Sequence, residues 1–510
     1  MAVDHGLLEM AAIGVLGLAF SVMAERLLKP RPLLIRPGVA WCAHLALWCA
    51  TYGFLVLLTG RPWCAMVAVT AIVTMLVLVS NAKYKSLREP FIFQDYDYFI
   101  DALRYPRLFL PFLGAKGFMG IAAGFVLALA GLLLETPPKT RFAMNGQLGG
   151  VVAMLAAAFL LLWQLKRHAP PRCFYPEKDL RDLGLLGSLW AYAVAEKTPP
   201  TGRSPFADVP CCAPDRLPHL IAVQSESFFD ARTLHPGIRP DILAAFDVLR
   251  AESRLSGSLA VPAWGANTVR TEFAFLTGIA DEKMGVHRFN PYKAVTRGWS
   301  VHSLPFFLKR LGYRTVCIHP YHAHFYGRDH VLRLLGFDEF MDISVFVDAR
   351  RIGPYVGDMA VGERILQALE KTTCPTFIFA ITMENHGPLH METPCPKIAE
   401  TMYTAPPPAG CEELPAYLRH LHNADSMLRM LSTVLGQAEY TASVCFYGDH
   451  VPIMPSTYKA LHTPKGMVPY FCWENQQARG VPWNNTAYEL TPGSPLAVHD
   501  LALRWLEILH

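Results

Sequence analysis

Five nearly uncharged apolar runs, at about 7–24, 39–58, 63–80, 118–134 and 149–165, crowd the first third of the chain. Each is close to the ~20 residues that carry a helix across a bilayer, where every buried peptide group must find its partner within the same segment. Residues 1–166 are therefore expected to form an α-helical membrane domain of five transmembrane helices. The first run is followed by Glu25, Arg26 and Lys29 and lacks a small-residue cleavage site, so it reads as a retained helix rather than a removable signal peptide. Composition agrees: at 52% apolar and 17% charged residues the chain is too apolar for a purely soluble protein.

After Lys166 the apolar runs shorten and charges become regular. Residues 167–218 read as a Pro-rich linker with an amphipathic helix near 180–196, suited to lying along a membrane or clasping the next domain. From 219 to 510, strand-length runs (219–224, 255–261, 314–319, 376–383, 442–447 and 468–473) alternate with helical patterns (241–252, 268–276, 302–311, 359–371, 415–435 and 495–509). That alternation predicts an α/β domain around a mainly parallel central sheet. Active sites in such sheets gather beyond the carboxyl ends of the strands.

The net charge of +4 is not gathered into a basic stripe, so nucleic acid is not an expected partner. The twelve cysteines match no CxxC zinc pattern, and Cys42, Cys49 and Cys64 sit in apolar runs as small hydrophobes. Cys395 and Cys411 are candidates for a bridge if the domain lies outside the cytoplasm.

Three polar clusters directly follow apolar runs: Ser225-Glu226-Ser227, Thr382-Met383-Glu384-Asn385-His386-Gly387, and Tyr447-Gly448-Asp449-His450. Alone, Glu226 or His386 at a strand end is an ordinary cap or surface residue, and Gly448-Asp449-His450 an ordinary turn. Together, on separate strand ends, carboxylates and an Asp-His pair form a donor set for Mn²⁺, Mg²⁺ or Zn²⁺. The fourth piece is Trp264-Gly265-Ala266-Asn267-Thr268, which opens a helix. A Thr there is usually an N-cap. It can also serve as a nucleophile, since a helix N-terminus favours phosphate and a metal favours the ionised hydroxyl. Thr271 competes for that role and ranks second.

With these residues in view, the sequence resembles the lipoteichoic acid synthase and phosphoglycerol transferase family, membrane relatives of sulfatases and alkaline phosphatase. The resemblance spans the five-helix anchor and most of residues 220–510. The family's Glu-Ser-Phe motif is matched by Glu226-Ser227-Phe228, and its Tyr-Gly-Asp-His motif by Tyr447-Gly448-Asp449-His450. Its Gly-x-Thr segment with a following Glu-Phe is matched by Thr268 and Glu272-Phe273, with one extra residue between Gly265 and Thr268. The Phe-Trp-x-Arg and Asn-His headgroup motifs correspond to Phe325-Tyr326-Gly327-Arg328 and Asn385-His386, with Tyr326 replacing Trp. Cys212-Ala213-Pro214-Asp215-Arg216 spells the sulfatase formylglycine signature but precedes Glu226, whereas the sulfatase nucleophile follows the first acidic ligand. It is read as coincidence.

The resemblance implies a sulfatase-like fold and a metal held by Glu226, Thr268, Asp449 and His450, with manganese the first choice. It implies Thr268 and His386 as catalytic groups, and Arg328, Tyr326 and His386 as headgroup contacts. The implied reaction moves phosphoglycerol from phosphatidylglycerol to a glycan or glycolipid of the cell envelope through a phospho-threonine. Phosphoethanolamine transfer, or a phosphodiesterase or sulfatase reaction, is the alternative. It further implies a multi-pass protein of the bacterial inner membrane with its catalytic domain outside the cytoplasm. Loop charge alone argues the reverse, because Arg26, Lys29, Arg31, Arg36, Lys83, Lys85 and Arg88 fall on the side of the large domain. The expectation follows the resemblance, with the aromatic segment 83–110 read as an interfacial platform.

Overall fold

The computed structural model describes residues 5–136, 141–208, 217–392, 400–479 and 495–507. The chain forms two compact units, Met1–Thr198 and Pro199–His510.

In the first unit, five helices are long and apolar enough to cross a membrane: Gly6–Glu25, Gly38–Thr59, Pro62–Leu87, Leu113–Leu134 and Asn145–Arg167. Small buried residues such as Ala40, Ala43 and Ala46 let neighbouring helices approach, while Val15, Phe54, Phe125 and Leu133 stay exposed. A helix face so apolar needs hydrocarbon, not water, around it. The amphipathic helix Pro176–Ala195 belongs to this unit and packs against Gly38–Thr59. A buried ion pair fixes it there: Glu25 accepts from Arg36 Nη1 (2.6 Å) and from the Leu186 N–H (3.1 Å), with His44 Nδ1 3.3 Å away. Gly184 is obligatory, since it has φ +73° and a Cβ there would lie 1.8 Å from Arg36 Nη1.

The second unit is built on an eight-stranded sheet. Its strands are β1 (His219–Ser225), β2 (Leu255–Ala260), β3 (Arg314–Ile318) and β4 (Glu339–Met341), then, after a small β5–β6 hairpin (Arg351–Ile352, Tyr355–Val356), β7 (Thr376–Ile381), β8 (Ala442–Gly448), β9 (Val468–Glu474) and β10 (Leu496–Ala497). The order is β10-β2-β9-β8-β1-β7-β3-β4, and β9 is antiparallel to both its neighbours while all other pairings are parallel. β7 and β8 are buried at every residue, and β1 at all but His219. Such continuous apolar strands mark a sheet covered on both faces. The helix Leu414–Gln437 buries Leu414, Leu418, Leu421, Leu428 and Leu435 along one stripe, each contributing about 1.5–3 kcal/mol of hydrophobic stabilisation.

The short edge strands β4 and β10 and the reversal of β9 add to what the sequence predicts. Cys411 is buried with a free thiol, while Cys395 and the Cys212–Arg216 signature lie outside the described residues.

Candidate metal centre and nucleophile

β1 and β8 are parallel neighbours with Ser225 opposite Gly448. Glu226 and Asp449 therefore leave the sheet side by side, about one strand spacing apart. Ser227 takes φ +51° and turns the chain back, so that its N–H donates to Asp449 Oδ1 (2.7 Å) and its hydroxyl to Glu226 Oε1 (2.8 Å). Gly448 has no substitute here: a Cβ would lie 2.1 Å from the Phe228 carbonyl oxygen. Glu226, Asp449 and His450 are all buried, and one donor atom from each lies within 4.8 Å of the others.

The helix Thr268–Thr277 starts from Asn267, which is left-handed at φ +67°, and every residue in it is buried. Its first residue donates its hydroxyl to Glu226 Oε2 at 3.4 Å and also meets the Asp449 carboxylate. One turn later, the Thr271 hydroxyl donates to the main-chain oxygen of Asp449 (2.9 Å). The two threonines thus differ in use. Thr271 anchors the backbone, whereas Thr268 faces the carboxylates beside the unsatisfied N–H groups of a helix start.

The electrostatics favour a cation among these groups. Burial, and then the charge of Asp449, raises the pKa of Glu226. Burial pushes Asp449 up to about 7, against the opposing pull of the Ser227 N–H and the Thr268 hydroxyl. Burial also holds His450 low, hence neutral. Asp449 Oδ2 and His450 Nε2 are fully enclosed yet make no hydrogen bond, although they stand 3.3 Å apart. Orphaned buried donor atoms are costly unless a ligand satisfies them. Two oxygen donors, one imidazole and a hydroxyl suit a hard or borderline divalent ion.

β7 supplies the next part of the site, since Thr382 Oγ1 accepts from the Glu226 N–H (3.1 Å). His386 follows, half-buried, with Nδ1 2.8 Å from the Gly387 carbonyl. A carbonyl can only accept, so Nδ1 carries the proton in that bond and Nε2 is left to accept. His386 lies near enough to influence Glu226 and His450 electrostatically.

Arg328 is buried and tied to Glu272 through two nitrogens, with Nε 3.2 Å from Oε2. The Tyr292 hydroxyl donates to the same carboxylate at 2.6 Å. Nη1 of Arg328 remains enclosed without a hydrogen-bond partner, and the guanidinium lies 5.2 Å from the Tyr326 ring centre. Sequence reading takes Glu272 only as part of a motif; its role as the counter-ion of Arg328, shared with Tyr292, is visible in three dimensions alone. It also passes over a second buried group, in which Glu384 accepts from the Asp358 N–H (2.8 Å), His420 Nδ1 (2.9 Å) and Asn423. Burial opposes protonation of His420, but hydrogen bonds to Glu384 and Glu392 raise its pKa overall.

A mixed, mostly parallel sheet with a helix-start hydroxyl facing Glu, Asp and His at adjacent strand ends fits an α/β domain of the alkaline phosphatase and sulfatase type. The chain belongs to the sulfatase family, whose model matches residues 218–508. It is 28% identical over 425 residues to the capsular polysaccharide biosynthesis protein RkpI of Rhizobium meliloti, covering 78% of this chain and 75% of that protein. It is 25% identical over 173 residues to lipoteichoic acid synthase 1 of Bacillus subtilis, covering 33% of this chain and 26% of that protein. Among solved structures, the integral membrane lipooligosaccharide phosphoethanolamine transferase A of Neisseria meningitidis shares the fold, with a TM-score of 0.54 at 12% identity over 93% of this chain and 95% of that one.

Proposed function

We propose that the chain is a metal-dependent phosphotransferase that moves phosphoglycerol from phosphatidylglycerol to a cell-envelope glycan or glycolipid, through a phospho-threonine at Thr268. One observation carries this reading: the Thr268 hydroxyl meets Glu226 and Asp449 while the backbone holds Thr271. A divalent cation held by Glu226, Asp449, His450 and Thr268 would supply Lewis acidity, favouring ionised hydroxyl and offsetting charge on the phosphoryl oxygens. Manganese is the first candidate, with magnesium or zinc as alternatives.

The chain's own groups do the rest. Thr268 Oγ gives its proton to Nε2 of His386 and forms a bond to phosphorus as the bond to the diacylglycerol oxygen breaks, and that oxygen takes the proton from Nε2. An acceptor hydroxyl then gives its proton to Nε2 of His386 and attacks the phosphorus, and Thr268 Oγ takes that proton as its bond to phosphorus breaks. Arg328 turns its unpartnered Nη1 toward the phosphoryl oxygens while Glu272 and Tyr292 hold the guanidinium in place. Similarity to a capsular polysaccharide biosynthesis protein supports a glycan acceptor. Phosphoethanolamine transfer is the second reading, favoured by Tyr326 standing where the glycerol enzymes carry Trp.

The proposed location is the bacterial inner membrane with the catalytic unit outside the cytoplasm. The resemblance in sequence supports this side, against the bias of the loop charges. Exposed Cys374 reports the side: it should react with an impermeant maleimide in spheroplasts. The activity is tested with full-length protein, envelope extract and phosphatidylglycerol labelled in the headgroup glycerol. Label should reach a glycan, and Thr268→Ala should stop it. Release of the label only as free phosphoglycerol, or transfer from labelled phosphatidylethanolamine alone, overturns the leading reading.

A further inference from the structure

A cavity of about 500 Å³ lies within the first unit, walled by the second and third membrane helices, the segment after them and the amphipathic helix. That volume falls within the ~300–1,000 Å³ of small-molecule sites. The amphipathic helix and the residues just beyond it contribute Leu186, Leu189, Trp190, Ala193, Val194 and Lys197, spaced so that they line one face. The walls are almost wholly apolar, with two exceptions in charge. Among the described residues, Lys166 and Lys197 both border the space, and no Asp or Glu does. Neither lysine has an ion-pair partner among the described residues. The Trp190 indole N–H is enclosed without a hydrogen-bond acceptor.

We infer that this cavity binds an anionic glycerophospholipid, with an acyl chain along the apolar walls and the phosphodiester met by Lys166 and Lys197. Lys166 lies in the last turn of the helix Arg141–Arg167, and Lys197 lies just past the end of Pro176–Ala195. Lysines at helix ends carry their charge to the level of lipid phosphates, where each favours anionic over neutral headgroups. An apolar wall with two unpaired cations selects an amphiphile whose head is negative. A sugar or a nucleotide would leave its polar face against Leu186 and Leu189 unsatisfied.

The test uses full-length protein carrying Thr268→Ala, so that binding is read without turnover and independently of the transfer reaction. Detergent-solubilised protein is mixed with equal phosphatidylglycerol and phosphatidylcholine of the same chains, and bound lipid is counted by native mass spectrometry. Phosphatidylglycerol should be retained about tenfold or more over phosphatidylcholine. Adding Lys166→Gln with Lys197→Gln should bring the two lipids to near parity, and adding Ala193→Trp should lower retention of both by filling the cavity. If the double variant does not give a monodisperse protein, Lys197→Gln alone should give a several-fold loss of preference. Equal retention of the two lipids by the parent, or a preference untouched by the lysine changes, overturns the assignment and leaves an adventitious lipid only.

Discussion

Glu25 in the first unit and Glu226 in the second are both fully buried carboxylates beside a histidine, but among the described residues only Glu25 is paired with an Arg or Lys. Glu25 is matched by Arg36 at 2.6 Å and by the Leu186 N–H, and it joins three helices. Glu226 faces Asp449 instead, and burial together with their shared charge raises its pKa. A paired buried charge specifies packing, whereas two like charges buried together mark a place whose missing partner arrives from outside. Arg328 and Glu272 show both features in one pair: the charge is balanced, yet one nitrogen edge is unused.

This contrast breaks if the two clusters respond alike to substitution. The largest effect should come from Asp449→Asn, which removes a carboxylate the proposed ion needs. Transfer should fall by about 10³-fold or more, while apparent melting temperature in chelator should hold or rise, because one of two repelling buried charges is gone. A clear drop in melting temperature would make the second cluster structural like the first. Next is Arg36→Ala, which strands Glu25 and should cost about 3–5 kcal/mol of stability, read as a lower melting temperature in detergent and less folded protein in membranes. Unchanged stability would mean that Glu25 has another route to neutrality.

Metal removal sharpens the comparison on a smaller scale. Dialysis against chelator should abolish transfer and lower the melting temperature, and Mn²⁺ at about 100 times its Kd should restore about 2.7 kcal/mol. Arg36→Ala should leave that increment intact, since its cluster does not hold the ion. The smallest expected change is Thr271→Val, which loses one buried hydrogen bond to the Asp449 carbonyl, costs about 1 kcal/mol and keeps activity within tenfold. Loss of transfer in Thr271→Val with retention in Thr268→Ala would exchange the roles of the two threonines.

The membrane helices and the six long strands of the sheet are legible because their periodicity and length are local properties: an apolar run near 20 residues, or a strand-length run between turn residues, signals itself. The strand-end clusters are legible for the same reason, as polar residues abruptly ending apolar runs. What is not legible depends on distant pairings. β9 looks like any other strand until its neighbours show it running the other way. Nothing around Glu272 announces Arg328, 56 positions away, as its partner. The face of Pro176–Ala195 is readable as apolar, but its anchor through Glu25 is set by a contact spanning 161 positions.

The ladder between β1 and β8 places Ser225 opposite Gly448, so the separation of the two acidic side chains is set by main-chain hydrogen bonds. A gauge built into the backbone does not care which donor or acceptor enters. On the proposed reaction, a change of substrate would then fall to side chains outside that ladder, such as Tyr326, with the two carboxylates left on a fixed frame.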